Sequence, residues 1–451
     1  MSDDASSAAS PDLLHDLVTK ALKAGADAAE AVSTARATLS VSVRKGALEE
    51  VEREESRDLG LRVFIGRRQA SVSSSDLSEP TRTRLVERAV AMARLAPEDP
   101  HASLAPQDRL ARAPHADLDL FDPSQLSPAQ LEERAREVEA IALSQSGVTR
   151  SEGGSASHST GHWTLVTSHG FSGQHRGSAF SLSASVIAER DGQMERDGEG
   201  RTLRHLADLP SAETIGRVAG ERAVRRLGAR KVASTTAPVI IDRRSSAALL
   251  SPLIQAMAGP SVARGVSFLK DRMGEQILPE AITLIDDPLR PRALGSTPFD
   301  DEGVSVRPLR LIDQGRLASW LLNTASAAQL GLESTGHASR ALAGPPGVSG
   351  HNIHLEPGER SREQMMKDAG TGLLVTEMFS PALNPNTGDW SAGVSGFWFE
   401  NGEIVHPVSE VTVAGQLLSL YGRMIAGSDL EFRGSTNAPS LMFDKVAIAG
   451  L

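Results

Sequence analysis

Helical and strand-like patterns occur in blocks along this chain of 451 residues, and they do not alternate regularly. A parallel sheet with crossover helices needs strand, helix, strand repeats, so the blocks favour an α+β protein with antiparallel sheets. The stretches rich in Val, Thr and Ser predict strands, whereas the charged stretch ALEEVEREES is left open. Apolar residues at helical spacing predict helices over 11–24, 80–95, 129–145, 212–227 and 245–257.

Residues 96–128 divide the first half of the chain, because they contain six prolines and show no sustained periodicity. We expect an N-terminal α+β domain over 11–230, whose two parts, 11–95 and 129–230, are joined by this connector. A strand-rich C-terminal domain is expected over 236–451, where short strands are punctuated by Gly and Pro. The predicted fold is therefore α+β in two halves.

The composition excludes several kinds of site. The chain has no cysteine, so zinc–thiolate sites, iron–sulfur clusters and catalytic thiols cannot form within it. Neither HExxH nor HExxxH occurs, and the net charge of -10 is opposite to the basic footprint of a nucleic-acid binder. No apolar run is long enough to cross a bilayer and no signal-peptide pattern is present, so we expect a cytoplasmic protein.

Several histidines have the chemistry of metal ligands without the spacing of a metal site. His351 and His354 point to opposite faces of an extended chain, which favours an ordinary loop. In a strand, residues four apart lie roughly 13 Å apart, too far to share one ion. The four histidines of one Ser- and Gly-rich region are therefore predicted to be exposed strand and turn residues: His158, His162, His169 and His175.

Paired carboxylates occur in IDDPL and PFDDEG. Such pairs can bind a hard cation or share a proton. Asp before Pro or Gly more often caps a turn by accepting hydrogen bonds from its own backbone, and this interpretation is favoured. The residues concerned are Asp286, Asp287, Asp300, Asp301 and Glu302.

The region 375–415 has the densest concentration of structural signals. NPNTGD, which begins at Asn384 and ends at Asp389, predicts a tight turn. GVSGFWFENGEIV predicts two strands around an Asn-Gly hairpin turn. Phe397, Trp398 and Phe399 are consecutive, so adjacent rings face opposite sides of the strand. A buried central hairpin is favoured, and a peptide-binding strand edge that uses these five residues is the alternative.

Six long segments, in order along the chain, have a distinctive sequence: LGLRVFIGRRQASVSSSD, GFSGQHRGSAFSLS, IDDPLRPRALGSTPFDDEGVSVRPLRLIDQGRL, LLNTASAAQLGLESTGHASR, VTEMFSPALNPNTGDWSAGVSGFWFENGEIVHPVSEVTVAG and DLEFRGSTNAPSLMFDKVAIAG. From about residue 12 to the C-terminus the chain resembles the TldD/PmbA family, and specifically its PmbA (TldE) branch. An older family name, modulator of DNA gyrase, implies a nucleic-acid connection that the acidic charge balance does not support.

The resemblance implies a cytoplasmic zinc metalloprotease that acts on unfolded peptides as a heterodimer of a TldD-type and a PmbA/TldE-type subunit. The TldD branch carries HExxxH on a helix and a late cysteine ligand. Ser251, Pro252 and Ala256 stand at the positions of the first His, the Glu and the second His, and Ser435 or Thr436 at that of the cysteine. No catalytic residue and no metal are therefore expected in this chain, and zinc is expected in the partner subunit.

We therefore expect a non-catalytic subunit of a heterodimeric protease, which contacts a TldD-type partner and an unfolded peptide. Direct contact with nucleic acid or membrane is not expected, and the chain is a possible homodimer when alone. The alternative is a self-associating peptide-binding or regulatory protein without proteolytic activity. Detection of a TldD-type partner separates the two hypotheses.

Overall fold

The computed structural model describes residues 8–384 and 387–450. It confirms the α+β class, and each of the predicted helices is present with ends within two residues of the expected ones. The elements of the first half, in chain order, are α1 Pro11–Lys23, β1 Ala28–Arg44, β2 Ala47–Ile65, β3 Arg68–Ser74, α2 Glu79–Leu95, α3 Pro128–Leu143, β4 Val148–Thr167, β5 Ser172–Arg190, β6 Gln193–Leu203 and α4 Ala212–Arg225.

One long antiparallel sheet organises the first half, with strand order β3-β2-β1-β4-β5-β6. Strand β1 pairs with both β2 and β4, so the sheet joins residues on either side of the connector. Helices α1 and α2 cover one part of the sheet, and α3 and α4 cover another, which produces two separate apolar cores. The stretch ALEEVEREES is part of β2, and its residues are exposed on both faces, which explains why no apolar alternation marks it.

The connector 96–128 runs over the sheet and reaches the second half of the chain. Ala111 N donates to Gly303 O at 2.8 Å, and Ser305 N donates to Arg109 O at 3.0 Å. Ser178 N, on β5, donates to Leu120 O at 3.0 Å. The proline-rich segment is thus held by backbone hydrogen bonds to both halves.

The second half is rich in short strands. Its elements, in chain order, are β7 Thr235–Ile241, α5 Arg243–Ala256, α6 Gly259–Ala263, β8 Leu284–Asp286, β9 Leu309–Asp313, β10 Arg316–Leu317, α7 Thr324–Leu330, β11 Ala338–Ser339, β12 Gly347–Val348, β13 Ile353–Leu355, α8 Arg362–Ala369, β14 Gly372–Leu383, β15 Asp389–Glu400, β16 Glu403–Gln416, α9 Leu417–Tyr421, β17 Ile425–Ala426, β18 Thr436–Asn437 and β19 Leu441–Ala449.

The main sheet of the second half has the order β16-β15-β14-β7-β19-β17, and β16 also pairs with β19. Five of these strands therefore close into a ring, which leaves β15 with a partner on each side. A smaller sheet, β10-β9-β8-β13-β18, lies beside it. The largest core cluster includes the apolar faces of α5, β7 and β14, and a second cluster lies between the ring and α8.

Across the described residues, no helix has the length and apolar character required to cross a membrane.

Candidate functional site

Helix α5 contains the three positions at which the resemblance implies the zinc motif of the TldD branch. Asp242 caps its N-terminus, accepting a hydrogen bond from Arg244 N at 3.0 Å, and Pro252 lies inside the helix. Ser251 is exposed, whereas Ala256 is 5% exposed and belongs to the main core. The helix offers no imidazole or carboxylate from the three motif positions.

The segment that corresponds to the late cysteine lies close to the same helix. Ser246 Oγ, in the second turn of α5, donates to Ala438 O at 3.0 Å. Ser435 O accepts a hydrogen bond from Ile353 N at 2.8 Å, and Thr436 lies in β18 beside β13. The structure brings this segment against α5, and its side chains are hydroxyls instead of a thiolate.

The predicted hairpin is confirmed, and its tip has the expected left-handed turn, with φ of 53° at Asn401 and 78° at Gly402. The alternative of a free strand edge at the three aromatics is wrong, because β15 pairs with β14 and β16 along both edges. Phe397 and Phe399 are 7% and 0% exposed and pack in the cluster next to α8. These two rings stabilise the fold and do not form a surface.

Trp398 faces the opposite side of β15 and is only partly buried against the main core. Its Nε1 donates to Glu400 Oε1 at 3.2 Å. On the next strand, Ile404 and Val405 are 39% and 52% exposed. Ile404 pairs with Phe399 and so faces the side opposite Trp398, which means that the hairpin exposes apolar groups on both faces.

Asn384 and Asp389 lie at the ends of β14 and β15, and both are exposed. Asn384 N donates to Asp389 O at 2.9 Å, and Gly388 N donates to Asn384 O at 2.8 Å. Asp389 Oδ2 accepts from Thr387 Oγ1 at 2.7 Å. The residues thus close the predicted turn, whose Pro385 and Asn386 lie outside the described residues.

Three of the four histidines expected to be exposed are packed against rings. His158 stacks on Phe180, with ring centroids 4.8 Å apart, and His175 stacks on Trp163 at 5.5 Å. His162 lies edge-on to an aromatic ring of the connector. Burial lowers the pKa of His175 to about 4, so the ring is neutral at physiological pH. The prediction of exposure is therefore correct only for His169.

The structure brings together three other side chains that sequence spacing keeps apart. Asp286 Oδ2 accepts from His337 Nε2 at 2.8 Å and lies 2.8 Å from His351 Nδ1. Asp286 is 0% exposed at its side chain, His337 2% and His351 10%. Within the described residues, this is the set of three or more His, Asp or Glu whose possible ligand atoms lie within 4.8 Å of one another. We call it the Asp–His–His cluster.

The Asp–His–His cluster corrects two expectations. Asp286 does not cap a turn, because it lies at the end of β8, where its carboxylate faces two imidazoles. His351 is not an unconstrained loop residue, because its side chain and its backbone N–H both contact that carboxylate. The neighbouring Asp287 does behave as predicted, since it accepts from Leu289 N at 3.0 Å. The sequence gives no signal for His337, because STGHA has neither helical nor strand-like apolar spacing around this histidine.

Burial and hydrogen bonding oppose each other in the Asp–His–His cluster. Burial alone would raise the pKa of Asp286, but the hydrogen bonds from His337 and His351 outweigh it and hold that pKa well below its usual range. Burial lowers the pKa of His337, against the opposite effect of the Asp286 carboxylate. The arrangement is thus a buried carboxylate that accepts from two imidazoles.

A second buried network lies beside this cluster and joins the two halves. Glu30 Oε1 accepts from Arg62 Nη1 at 3.1 Å and from Arg340 Nη1 at 2.6 Å. Asp300 accepts backbone hydrogen bonds from Glu302, Val304 and Ala338. Burial raises the pKa of Asp300 and of Glu302, and each carboxyl group opposes ionisation of the other. Asp300 caps its own turn, as favoured, whereas Glu302 accepts from the distant Thr324 N at 2.8 Å, and the two carboxyl groups have the paired character of the alternative.

A cavity of about 170 Å³ lies between the halves, where α4 and β6 meet α5 and β14. Much of its positive charge is paired. Arg226 Nη1 donates to Glu377 Oε2 at 2.6 Å, and Arg362 Nη1 donates to Asp242 Oδ2 at 2.7 Å. Its charged lining consists of Arg222, Arg225, Arg226, Arg243, Arg244, Arg362, Asp197 and Asp242. The cavity is chiefly an ion-paired junction between the halves.

Comparison with known proteins agrees with the arrangement of these parts. Models of the PmbA/TldA metallopeptidase family match three consecutive segments: domain 1 over residues 29–93, the central domain over 121–227 and the C-terminal domain over 234–450. The chain is 39% identical to Metalloprotease PmbA of Escherichia coli O157:H7, over 97% of this chain and 96% of that protein. This chain belongs to the PmbA/TldE family.

This PmbA/TldE-family chain is also similar to a second curated protein and to solved structures. A Metalloprotease PmbA homolog of Haemophilus influenzae is 36% identical over 96% of this chain and 94% of that protein. A candidate modulator of DNA gyrase from Bacteroides thetaiotaomicron superposes with a TM-score of 0.89 at 27% identity, over 98% of each chain. TldE from Thermococcus kodakarensis shares the fold, with a TM-score of 0.86 at 22% identity, over 97% of this chain and 100% of that chain.

The family is named as a metallopeptidase family, which implies a metal-dependent activity. Helix α5 of this PmbA/TldE chain, however, has none of the expected zinc ligands at its three motif positions. A catalytic zinc requires three protein ligands and an open position for water. Ser251, Pro252 and Ala256 provide one exposed hydroxyl and no nitrogen or carboxylate ligand. The three motif positions of α5 therefore do not fit a catalytic zinc ion.

Proposed function

We propose that this chain is the non-catalytic, PmbA/TldE-type subunit of a heterodimeric zinc metalloprotease that processes or degrades unfolded peptides. The observation that supports the proposal is the set of residues at the motif positions of helix α5. Its motif positions hold Ser251, Pro252 and Ala256, the first exposed and the last buried in the core. Zinc and the general base are then supplied by a TldD-type partner, and this chain completes the assembly.

The burial of Ala256 adds a packing reason why position 256 does not hold a zinc ligand. A histidine at that position would have to displace neighbours in a closely packed core, because Ala256 lies with Leu253 and Met257 among fully or almost fully buried residues. Ser251 faces solvent on another side of the helix. A histidine at position 256 could therefore reach a metal only if the neighbouring core residues moved.

The exposed part of the hairpin supports a role in contact with the partner or the peptide. Ile404 and Val405 are exposed apolar residues of strand β16, which pairs with β19 only from Thr412 to Ala414, and Trp398 is partly exposed on the other face of the hairpin. Large apolar side chains at an otherwise polar surface often provide the anchors of an interface. The proposal places this contact in the cytoplasm, and self-association of the lone chain is the competing assembly.

Reconstitution with a TldD-type subunit tests the proposal. Untagged chain alone should leave an unfolded peptide intact, and the two chains together should form a complex on gel filtration and cleave the peptide. A chelator should stop cleavage, and added zinc should restore it. Chelator-resistant cleavage by the lone chain would refute the proposal, and a folded chain that forms only a homodimer in the partner's presence would favour the peptide-binding alternative.

A further inference from the structure

We propose that Asp286, His337 and His351 bind one divalent transition-metal ion, of which zinc is the best fit, at a site separate from helix α5. This inference goes beyond the proposed function and does not depend on it. No metal was expected in this chain, because the sequence lacks a helical His pair. The structure supplies the ligands from three segments instead: β8, the residues before β11, and the residues between β12 and β13.

The donor set is that of a zinc site. Imidazole nitrogens and a carboxylate oxygen bind zinc at about 2.0–2.2 Å, which places neighbouring ligand atoms about 3.4 Å apart around a tetrahedron. Asp286 Oδ2 now lies 2.8 Å from His337 Nε2 and 2.8 Å from His351 Nδ1. An ion between the carboxylate and the imidazoles therefore needs each of these two oxygen–nitrogen distances to lengthen by about half an ångström, and the two imidazole nitrogens already lie within 4.8 Å of each other.

The groups around the ligands already hold them in a binding orientation. Thr335 Oγ1 lies 2.8 Å from His337 Nδ1 and accepts from Leu322 N at 2.8 Å. With Nε2 on a metal, Nδ1 carries the proton and donates to this hydroxyl, the outer hydrogen bond that metal-bound histidines usually make. Asp286 Oδ1 accepts from His351 N at 3.1 Å, which orients the carboxylate.

Burial and access are consistent with one retained ion. The Asp286 and His337 side chains are 0% and 2% exposed, so the ion would be largely shielded from exchange with solvent. The His351 side chain is 10% exposed, so a water ligand can complete the coordination from that side. Because the ligands are neutral imidazoles and one carboxylate, an ion also balances a negative charge that is otherwise fully buried.

The experiment uses full-length, untagged protein, stripped of metal with a chelator and then exchanged into metal-free buffer. Added Zn²⁺ should be retained through gel filtration at about one ion per chain by elemental analysis, and added Co²⁺ should give the visible absorption of a bound ion. Zn²⁺ should raise the Tm, since a ligand that binds only the folded state stabilises it. His351→Gln should weaken binding roughly tenfold or more.

His354→Gln is the matched control, because His354 lies three residues away and packs on Phe432, outside the cluster. This variant should bind Zn²⁺ as the unchanged chain does. If His351→Gln does not fold, the wild-type stoichiometry and the response of its Tm to Zn²⁺ still decide the question. No retained metal and no Tm shift in the wild type would overturn the proposal, as would equal binding by folded His351→Gln. Neither result depends on peptide cleavage, so the proposed function is tested separately.

Discussion

Glu30 and Arg340 are 310 positions apart in the sequence, yet Arg340 Nη1 donates to Glu30 Oε1 at 2.6 Å inside the protein. The two side chains are 2% and 1% exposed. The same oxygen accepts from Arg62, so one carboxylate holds two guanidinium groups. Because Glu30 and Arg62 belong to the first half and Arg340 to the second, this contact couples the two halves.

Removal of the Glu30 charge should therefore destabilise the whole chain. Glu30→Gln removes the carboxylate to which two buried arginines donate, which should lower the free energy of unfolding by about 3–5 kcal/mol. Glu55→Gln is the control, because Glu55 pairs with Arg53 at the surface and should cost at most about 1 kcal/mol. Urea unfolding measures both, and similar small effects in the two variants would contradict the buried network.

The raised pKa of Glu302 predicts how stability changes with pH. A carboxyl group whose pKa is higher in the folded state contributes stability below its unfolded pKa and loses that contribution as pH rises through the folded pKa. Glu302→Gln removes this titration. Its free energy of unfolding should therefore improve relative to the wild type as pH rises above the unfolded pKa of about 4.5. A difference that stays constant over this range would show that the group does not titrate as stated.

The two sides of strand β15 should respond differently to truncation. Phe399 is 0% exposed, so Phe399→Ala should cost about 3–5 kcal/mol of stability. Trp398→Ala should cost less, because its ring is partly exposed, and should mainly weaken partner binding or peptide cleavage. Thermal unfolding and binding measured side by side decide the matter. Equal loss of stability with unchanged binding would exclude a surface role for Trp398.

The hydroxyl of Thr335 should tune the metal affinity of the Asp–His–His cluster. Thr335→Val removes the group that faces His337 Nδ1 and should weaken Zn²⁺ binding about 10–100-fold. Thr335→Ser keeps the hydroxyl and should bind nearly as the wild type does. A competition titration with a coloured chelator gives both affinities. Equal affinities for the Val and Ser variants would show that the hydrogen bond between Thr335 and His337 does not affect metal binding.

Local signals predicted local structure well. Apolar spacing located α1 and α5 to within two residues, and the Asn401-Gly402 dipeptide located the hairpin turn. The exposed first part of β2 could not be predicted as a strand, because neither of its faces is buried and its sequence therefore shows no apolar alternation. Apolar periodicity in a sequence arises from burial of one face, so an element without a buried face cannot be recognised by it.

The Asp–His–His cluster could not be predicted for a different reason. His337 and His351 are 51 and 65 positions from Asp286, and each stands alone in its segment. Contacts at such separation depend on how short strands and loops pack, which local spacing does not specify. The unusual signal was chemical: an aspartate directly after the run ITLI, where a solvent-facing turn was expected.

The central claim is that peptide hydrolysis by the complex uses the partner's zinc site and no group of helix α5 in this chain. The most direct measurement is the cleavage rate of an unfolded peptide by an equimolar mixture of this chain and a TldD-type subunit. Ser251→Ala in this chain should leave the rate unchanged, and replacement of the HExxxH glutamate in the partner by glutamine should abolish it. A large loss with Ser251→Ala, or full activity with the altered partner, would contradict the claim.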